Sequence, residues 1–150
     1  MIILIISALV IALDQYSKQW AVEGLSQGSI IVIDGFFDLT YVQNTGAAFG
    51  LFQNGKAYFL ILTPAIMIAL LLYVIAKQRK NRWVNLSAAL IIGGAIGNYI
   101  DRIRLGYVID FLDFKIWPVF NIADSSIVLG TAIYAYYVFF IGDKEGKREE

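Results

Sequence analysis

The chain has 150 residues, 59% hydrophobic and 16% charged, against about 45–50% and about 25% in soluble domains, which disfavours a soluble single-domain protein. Twelve Lys and Arg balance twelve Asp and Glu, so there is no basic footprint for nucleic acid and no acidic tail. The absence of cysteine and histidine excludes disulfides, thiolate or imidazole chemistry, Ser-His-Asp triads and zinc sites built on Cys or His. Catalysis must then run on carboxylates, hydroxyls, lysine or arginine.

A helix needs about 20 largely apolar residues to cross a bilayer, and four stretches qualify. They predict an integral-membrane, all-α protein with transmembrane helices over about 1–20, 58–76, 84–100 and 125–141, in a single domain spanning 1–150. The first stretch is apolar to Leu13, apart from Ser7, and then meets Asp14 and Gln15. A cleaved signal peptide is disfavoured, because no Lys or Arg precedes the run and no small-x-small site follows it. If the helix continues to Trp20, Asp14 lies about 20 Å from Met1, at or inside the edge of the far leaflet. Lys18 is then expected to snorkel to the headgroups, with Trp20, Trp83 and Trp117 at helix boundaries in an aromatic belt.

The segment after the first helix, about 21–57, is too long for a turn. Ser29–Leu39 is β-branched and aromatic around a turn signal at Asp34-Gly35, and Thr40–Phe52 continues it, broken by Gly46 and Gly50. A small twisted sheet is expected over about 29–52, lying on the outer membrane face, since open strand edges are not tolerated in hydrocarbon. The short segment 77–83 carries Lys77, Arg79, Lys80 and Arg82 without an acid, and belongs in the cytoplasm. Both termini are then cytoplasmic, with 21–57 and 101–124 outside. The 101–124 segment is dense in aromatic and polar groups, suiting a surface that lines a site.

An ionisable group in hydrocarbon costs at least about 2.5 kcal/mol, so four aspartates near helix ends invite explanation. Asp14, Asp101, Asp110 and Asp124 all fall toward the outward side. Asn98, Asp101 and Arg102 share one helix face at i, i+3 and i+4, either as a polar terminus or with Arg102 as a fixed cation tuning a carboxylate. Gly93 and Gly97 form a small-xxx-small pair that lets another helix approach Asn98. Asp124 precedes the last apolar run and reads as its N-cap, where the positive helix end favours the ionised form. Asp110 and Asp113 are flanked by phenylalanines in Asp-Phe-Leu-Asp-Phe, and apolar walls raise a carboxyl pKa.

Two carboxylates in such unlike settings are able to share one proton, as hydrolysis by an aspartyl pair requires. The ionised member takes a proton from water, the water attacks a peptide carbonyl, and the protonated member donates to the oxyanion; no metal or cofactor is needed. Spacing alone does not choose between Asp110 and Asp113. A Ser-Lys mechanism would use Ser125 or Ser126 with Lys18, Lys56 or Lys115, but no spacing brings a lysine to either serine. A proton-coupled transporter needs an acid near the midplane, whereas these cluster to one side. A non-catalytic scaffold leaves the aspartates and asparagines without a reason.

Five blocks now stand together: DQYSK at 14–18, NTGAAFG at 44–50, GGAIGNYIDR at 93–102, VIDFLDF at 108–114 and WPVFNIADSSI at 117–127. In order and spacing they resemble bacterial lipoprotein signal peptidase, signal peptidase II, over about 14–127. The resemblance implies a membrane-embedded aspartic endopeptidase of the bacterial cytoplasmic membrane, with its site toward the outer face. Its partners would be membrane lipid and lipid-modified prolipoproteins, cut just before the diacylglyceryl-modified cysteine. The family's dyad falls on Asp110 and Asp124, with polar support on Asp14, Asn44, Asn98, Arg102 and Asn121. The family's outer β-cradle agrees with the expected sheet, and the two-glycine NTGAAFG turn is expected to act as a lid.

Overall fold

The computed structural model describes residues 2–46, 56–77 and 81–142. Seven elements follow one another: α1 (Ile2–Leu25), β1 (Ile30–Ile33), β2 (Phe37–Asn44), α2 (Lys56–Lys77), α3 (Arg82–Arg104), β3 (Val108–Asp113) and α4 (Ile122–Tyr136). A π-helical turn, Tyr137–Gly142, extends α4.

In α1 the buried residues are Ser7, Val10, Asp14, Lys18, Ala21 and Leu25. Steps of three and four residues make one stripe along the helix. The opposite face is apolar and exposed, with Leu4, Ile5, Leu9 and Leu13 all more than half accessible. This inverts a soluble helix: the outer face suits lipid, and the inward stripe holds the charges. The helix outruns the expected end at about 20 because Ala21 and Leu25 pack beneath the sheet with Phe111.

At the centre, α3 buries small residues, among them Ala88, Ala89, Gly93, Gly94 and Gly97. Their lack of bulk sets the helix spacing. A methyl group on Gly93 would meet Val10 Cβ at 2.8 Å, and one on Gly97 would meet Asp14 Oδ2 at 2.6 Å. The expected close approach of a helix near Asn98 is thus made by α1. The Asn81 side chain caps α3 by accepting from the Trp83 and Val84 amides. Gly106, at φ +88°, turns the chain out of the helix just after its C-cap Leu105.

Among the described residues three helices are long and apolar enough to cross a membrane: α1, α3, and α4 with its extension to Ile141. The four crossings expected from sequence are therefore three by this measure. The 22-residue α2 contains Pro64, and its described apolar stretch is the shorter Ile61–Tyr73. It is joined to α4 through a Tyr73–Tyr134 hydroxyl contact of 3.0 Å.

Among the described residues the sheet has three antiparallel strands in the order β1-β2-β3. Two lie within the expected β region; that region's remainder, 47–52, is outside the described residues, as is most of the expected lid. The third strand, Val108–Asp113, corrects the sequence reading, which found no strand between 101 and 124. Its burial runs without alternation through Val108, Ile109, Asp110 and Phe111, so period-two patterning gives no signal there. Between β3 and α4, the Phe120 amide donates to Leu112 O at 3.1 Å and Phe120 O accepts from the Phe111 and Leu112 amides. That ladder delivers Asn121 beside Asp110.

Candidate active site

The interior of the helix bundle opens onto the sheet at a connected set of polar side chains. Asp110 is almost fully buried on β3. Its cross-strand partner is Val42, and Asn44, two residues along β2, points from the same face. Asn44 Nδ2 donates to Asp110 Oδ2 at 2.9 Å, and Asn121 Nδ2 donates to Asp110 Oδ1 at 2.6 Å. Burial, and next the charge of Asp124, push the Asp110 carboxyl up to about 7.

Asp124 lies in the first turn of α4, but it is not the cap. Asn121 is: its Oδ1 accepts from the Asp124 amide at 2.8 Å. Capping by Asn121 starts α4 three residues before the apolar run and leaves the Asp124 carboxylate free to face the site. Asn98 Nδ2 donates to Asp124 Oδ1 at 2.7 Å. Asn98 and Asn121 meet in turn, with Asn121 Nδ2 3.1 Å from Asn98 Oδ1, so the two carboxylates are joined by a pair of amides.

Below this pair lies an ion cluster. Lys18 Nζ is 2.8 Å from Asp14 Oδ2 and 2.9 Å from Asp101 Oδ2, and it donates to Asn98 Oδ1 at 2.9 Å. Lys18 is only 2% exposed, so the expected snorkelling to headgroups is wrong. Two buried carboxylates hold it inside, an arrangement worth more than headgroup hydration once those acids are buried. The signal was present as the i, i+4 spacing of Asp14 and Lys18. Asp14 Oδ1 also accepts from the Ala123 amide at 2.9 Å, tying α1 to the start of α4. Asp101 Oδ2 accepts from the Ile109 amide at 3.2 Å, tying α3 to β3, and Asp101 Oδ1 accepts from Gln15 at 2.9 Å. Neither Gln15 nor the role of Lys18 was foreseen.

Arg102 donates to Gly46 O at 3.2 Å and to Asn98 O at 3.4 Å, and its guanidinium lies in the field of Asp124 and Asp110. It holds the start of the Gly46 segment against α3. Asp113, the alternative to Asp110, belongs to another cluster. It stands directly opposite Asp38 on β2, and Lys115 bridges the two acids at 2.8 and 2.5 Å. That bridge offsets the repulsion of like charges across the strands, and hydrogen bonds from Lys115 hold the Asp113 carboxyl below its usual range.

The hydroxyls of Ser125 and Ser126 donate back to Asn121 O and Ile122 O at 2.8 and 2.9 Å. Neither has a lysine partner among the described residues, and the Lys56 side chain lies outside them. Among the described residues no group of three or more acids is arranged to share a metal ion. What converges is a pair of aspartates, three asparagines and a buried ion cluster, an arrangement suited to proton transfer between carboxyls and water.

The sequence profile of the family described as signal peptidase (SPase) II matches residues 6–140. The chain belongs to the signal peptidase II family. It is 50% identical over 141 residues to the lipoprotein signal peptidase of Caldanaerobacter subterraneus subsp. tengcongensis, covering 93% of this chain and 97% of that protein. It is 49% identical over 136 residues to the lipoprotein signal peptidase of Halothermothrix orenii, covering 90% and 93%. Among solved structures it is similar to a bacterial membrane enzyme determined by the in meso method at 2.3 Å resolution. There the TM-score is 0.85 and the identity 32%, over 99% of this chain and 92% of that one. As a member of the signal peptidase II family the chain is a peptidase, and its apolar helices make it an integral membrane protein.

Proposed function

We propose that the chain is a membrane-embedded aspartic endopeptidase that removes the signal peptide from diacylglyceryl-modified prolipoproteins, cutting before the lipidated cysteine, with Asp110 and Asp124 as its catalytic pair. The observation that carries this reading is the unlike setting of the two carboxyls. Asp110 is almost wholly buried on β3 between the Asn44 and Asn121 amides, and burial raises its carboxyl to about 7, which suits the carrier of the shared proton. Asp124 sits at the positive end of α4 and accepts from Asn98, which suits the ionised member.

Asp124 takes a proton from a water molecule as the water oxygen attacks the scissile carbonyl carbon. Asp110 gives its proton to the carbonyl oxygen, removing the charge that would otherwise build there. Collapse breaks the C–N bond; the leaving amine takes the proton held on Asp124, and the hydroxyl proton returns to Asp110. In this scheme Asn44 and Asn121 orient Asp110, and Asn98 orients Asp124. Asp14 holds the first turn of α4, and Arg102 braces α3 against the Gly46 segment.

The whole chain, 1–150, acts as one domain in the bacterial cytoplasmic membrane, with α2 as the fourth crossing. Its 22 residues reach about 33 Å, enough for the hydrocarbon core. The basic 77–83 segment and both termini face the cytoplasm, and the pair faces outward, where a signal helix in lipid meets a mature chain in water. Membrane lipid and the lipidated precursor are the partners, without nucleic acid or a cofactor.

The test compares lipidated and unlipidated precursor with the purified protein in one detergent. Each buried CH₂ of the lipid contributes about 0.8 kcal/mol to holding the cysteine at interface depth, so the unlipidated precursor is expected to be cut far more slowly. Equal rates would point to a general membrane protease.

A further inference from the structure

The three asparagines of the site share one constraint. A carboxamide is useful to a carboxylate only when its NH₂ end faces it, and a flip replaces attraction with oxygen–oxygen repulsion. In each case the amide oxygen is claimed by another donor. Asn44 Oδ1 accepts from the Gly46 amide at 3.0 Å, and Asn121 Oδ1 accepts from the Asp124 amide at 2.8 Å. Both of those donors are backbone groups set by the fold. Asn98 differs, because its oxygen is met by the Lys18 ammonium at 2.9 Å and by Asn121 Nδ2 at 3.1 Å.

Building on the catalytic pair proposed above, we propose that Lys18 is a positioning residue for the reaction: its ammonium fixes the Asn98 amide so that Nδ2 is presented to Asp124. An ammonium has three donors and no acceptor, so it cannot tolerate the flipped amide. Asp14 at 2.8 Å and Asp101 at 2.9 Å hold the ammonium in place, and burial of all three groups excludes water as a substitute donor. Asn121 Nδ2 is shared with Asp110 Oδ1 at 2.6 Å and Ile109 O at 3.1 Å, which leaves it a weak second donor to Asn98. One lysine on α1 thereby reaches Asp124 through Asn98, and Asp110 through the Asn98–Asn121 contact. The charged groups facing Lys18 and this chain are Asp14 from α1, Asp101 and Arg102 from α3, Asp110 from β3 and Asp124 from α4.

The test is a double-mutant cycle on Lys18 and Asn98, read as kcat and KM on a lipidated precursor. Removing Lys18 alone strands two buried acids, so the cycle runs in an Asp101→Asn background. There Lys18→Met leaves the cluster with the same net charge as the native one, and Asn at 101 retains a carbonyl oxygen for the Ile109 amide. Lys18→Met is expected to lower kcat about 100-fold, the scale of a misplaced catalytic group, with KM within about threefold. In the Asn98→Ala background the same change is expected to cost less than about threefold, because the amide it orients is gone. Equal losses in both backgrounds, or a loss that follows the melting temperature and is confined to KM, would overturn the positioning role. Asp110→Asn and Asp124→Asn are measured beside them. If either retains activity, the catalytic pair is wrong; if both are inactive while Lys18→Met is fully active, this inference alone fails.

Discussion

Asp110 and Asp113 lie three residues apart on one strand and carry the same functional group, yet their surroundings are opposite. Asp110 is buried between two amides, whereas Asp113 is locked to Lys115 at the surface. Asp113→Asn is therefore expected to keep substantial activity in a cleavage assay, and a loss as large as that of Asp110→Asn would move the pair by three residues along β3. The sign of the pH response also follows. Folding raises the Asp110 carboxyl from about 4 to about 7, so the folded protein holds a proton that the unfolded chain releases. Its stabilisation is complete below about 4 and is lost as pH climbs through about 7. Activity that needs this proton is expected to fall along the same alkaline limb. Replacing Asp124 by Asn removes a charge that raises Asp110, and should shift the carboxyl titration, followed by infrared difference spectra, to lower pH. The family blocks singled out Asp110 and Asp124, the pair proposed here as catalytic, before any geometry. The destination of Lys18 was only half legible: Asp14 stands at i, i+4 from it, but its second acid partner, Asp101, is distant in sequence and only the bundle brings them together.

At the scale of elements, the apolar runs announced the helices, and the cap residues set where they begin. Asp124 satisfies the usual residue preference for an N-cap, yet Asn121 takes the position because the β3–Phe120 ladder delivers it first. Local preference could not separate the two. The strand carrying Asp110 was hidden for a related reason: four successive residues are buried, with Ala21 and Leu25 of α1 and Ile122 of α4 packed about Phe111, so its sequence does not alternate. The glycines of α3 were legible as packing, and the structure adds what they pack against. A methyl group at Gly94 would collide with the Ala123 carbonyl oxygen and with Ile127. Gly94→Ala is thus expected to cost about 1–3 kcal/mol of stability and to displace the first turn of α4, lowering activity together with the melting temperature. A variant as stable and active as the parent would mean that α3 and α4 are free to separate.

On the scale of the whole molecule, the helices form a frame whose inward charges gather around Lys18 and whose outward faces are apolar. The sheet closes one end of that frame over the aspartates. Reporter fusions at Arg79 and Lys56 are expected to give opposite topological answers, and matching answers would remove α2 as a crossing. The most direct test of the aspartyl pair is cleavage of a diacylglyceryl-modified precursor by purified protein in detergent, with no ion gradient. Native protein, Asp110→Asn, Asp124→Asn and the double variant are compared after each is shown to melt cooperatively. Cleavage before the lipidated cysteine is expected from the native protein alone, with both single variants as inactive as the double because either change disables the same unit. Cleavage at the native rate by either folded single variant would contradict the aspartyl pair.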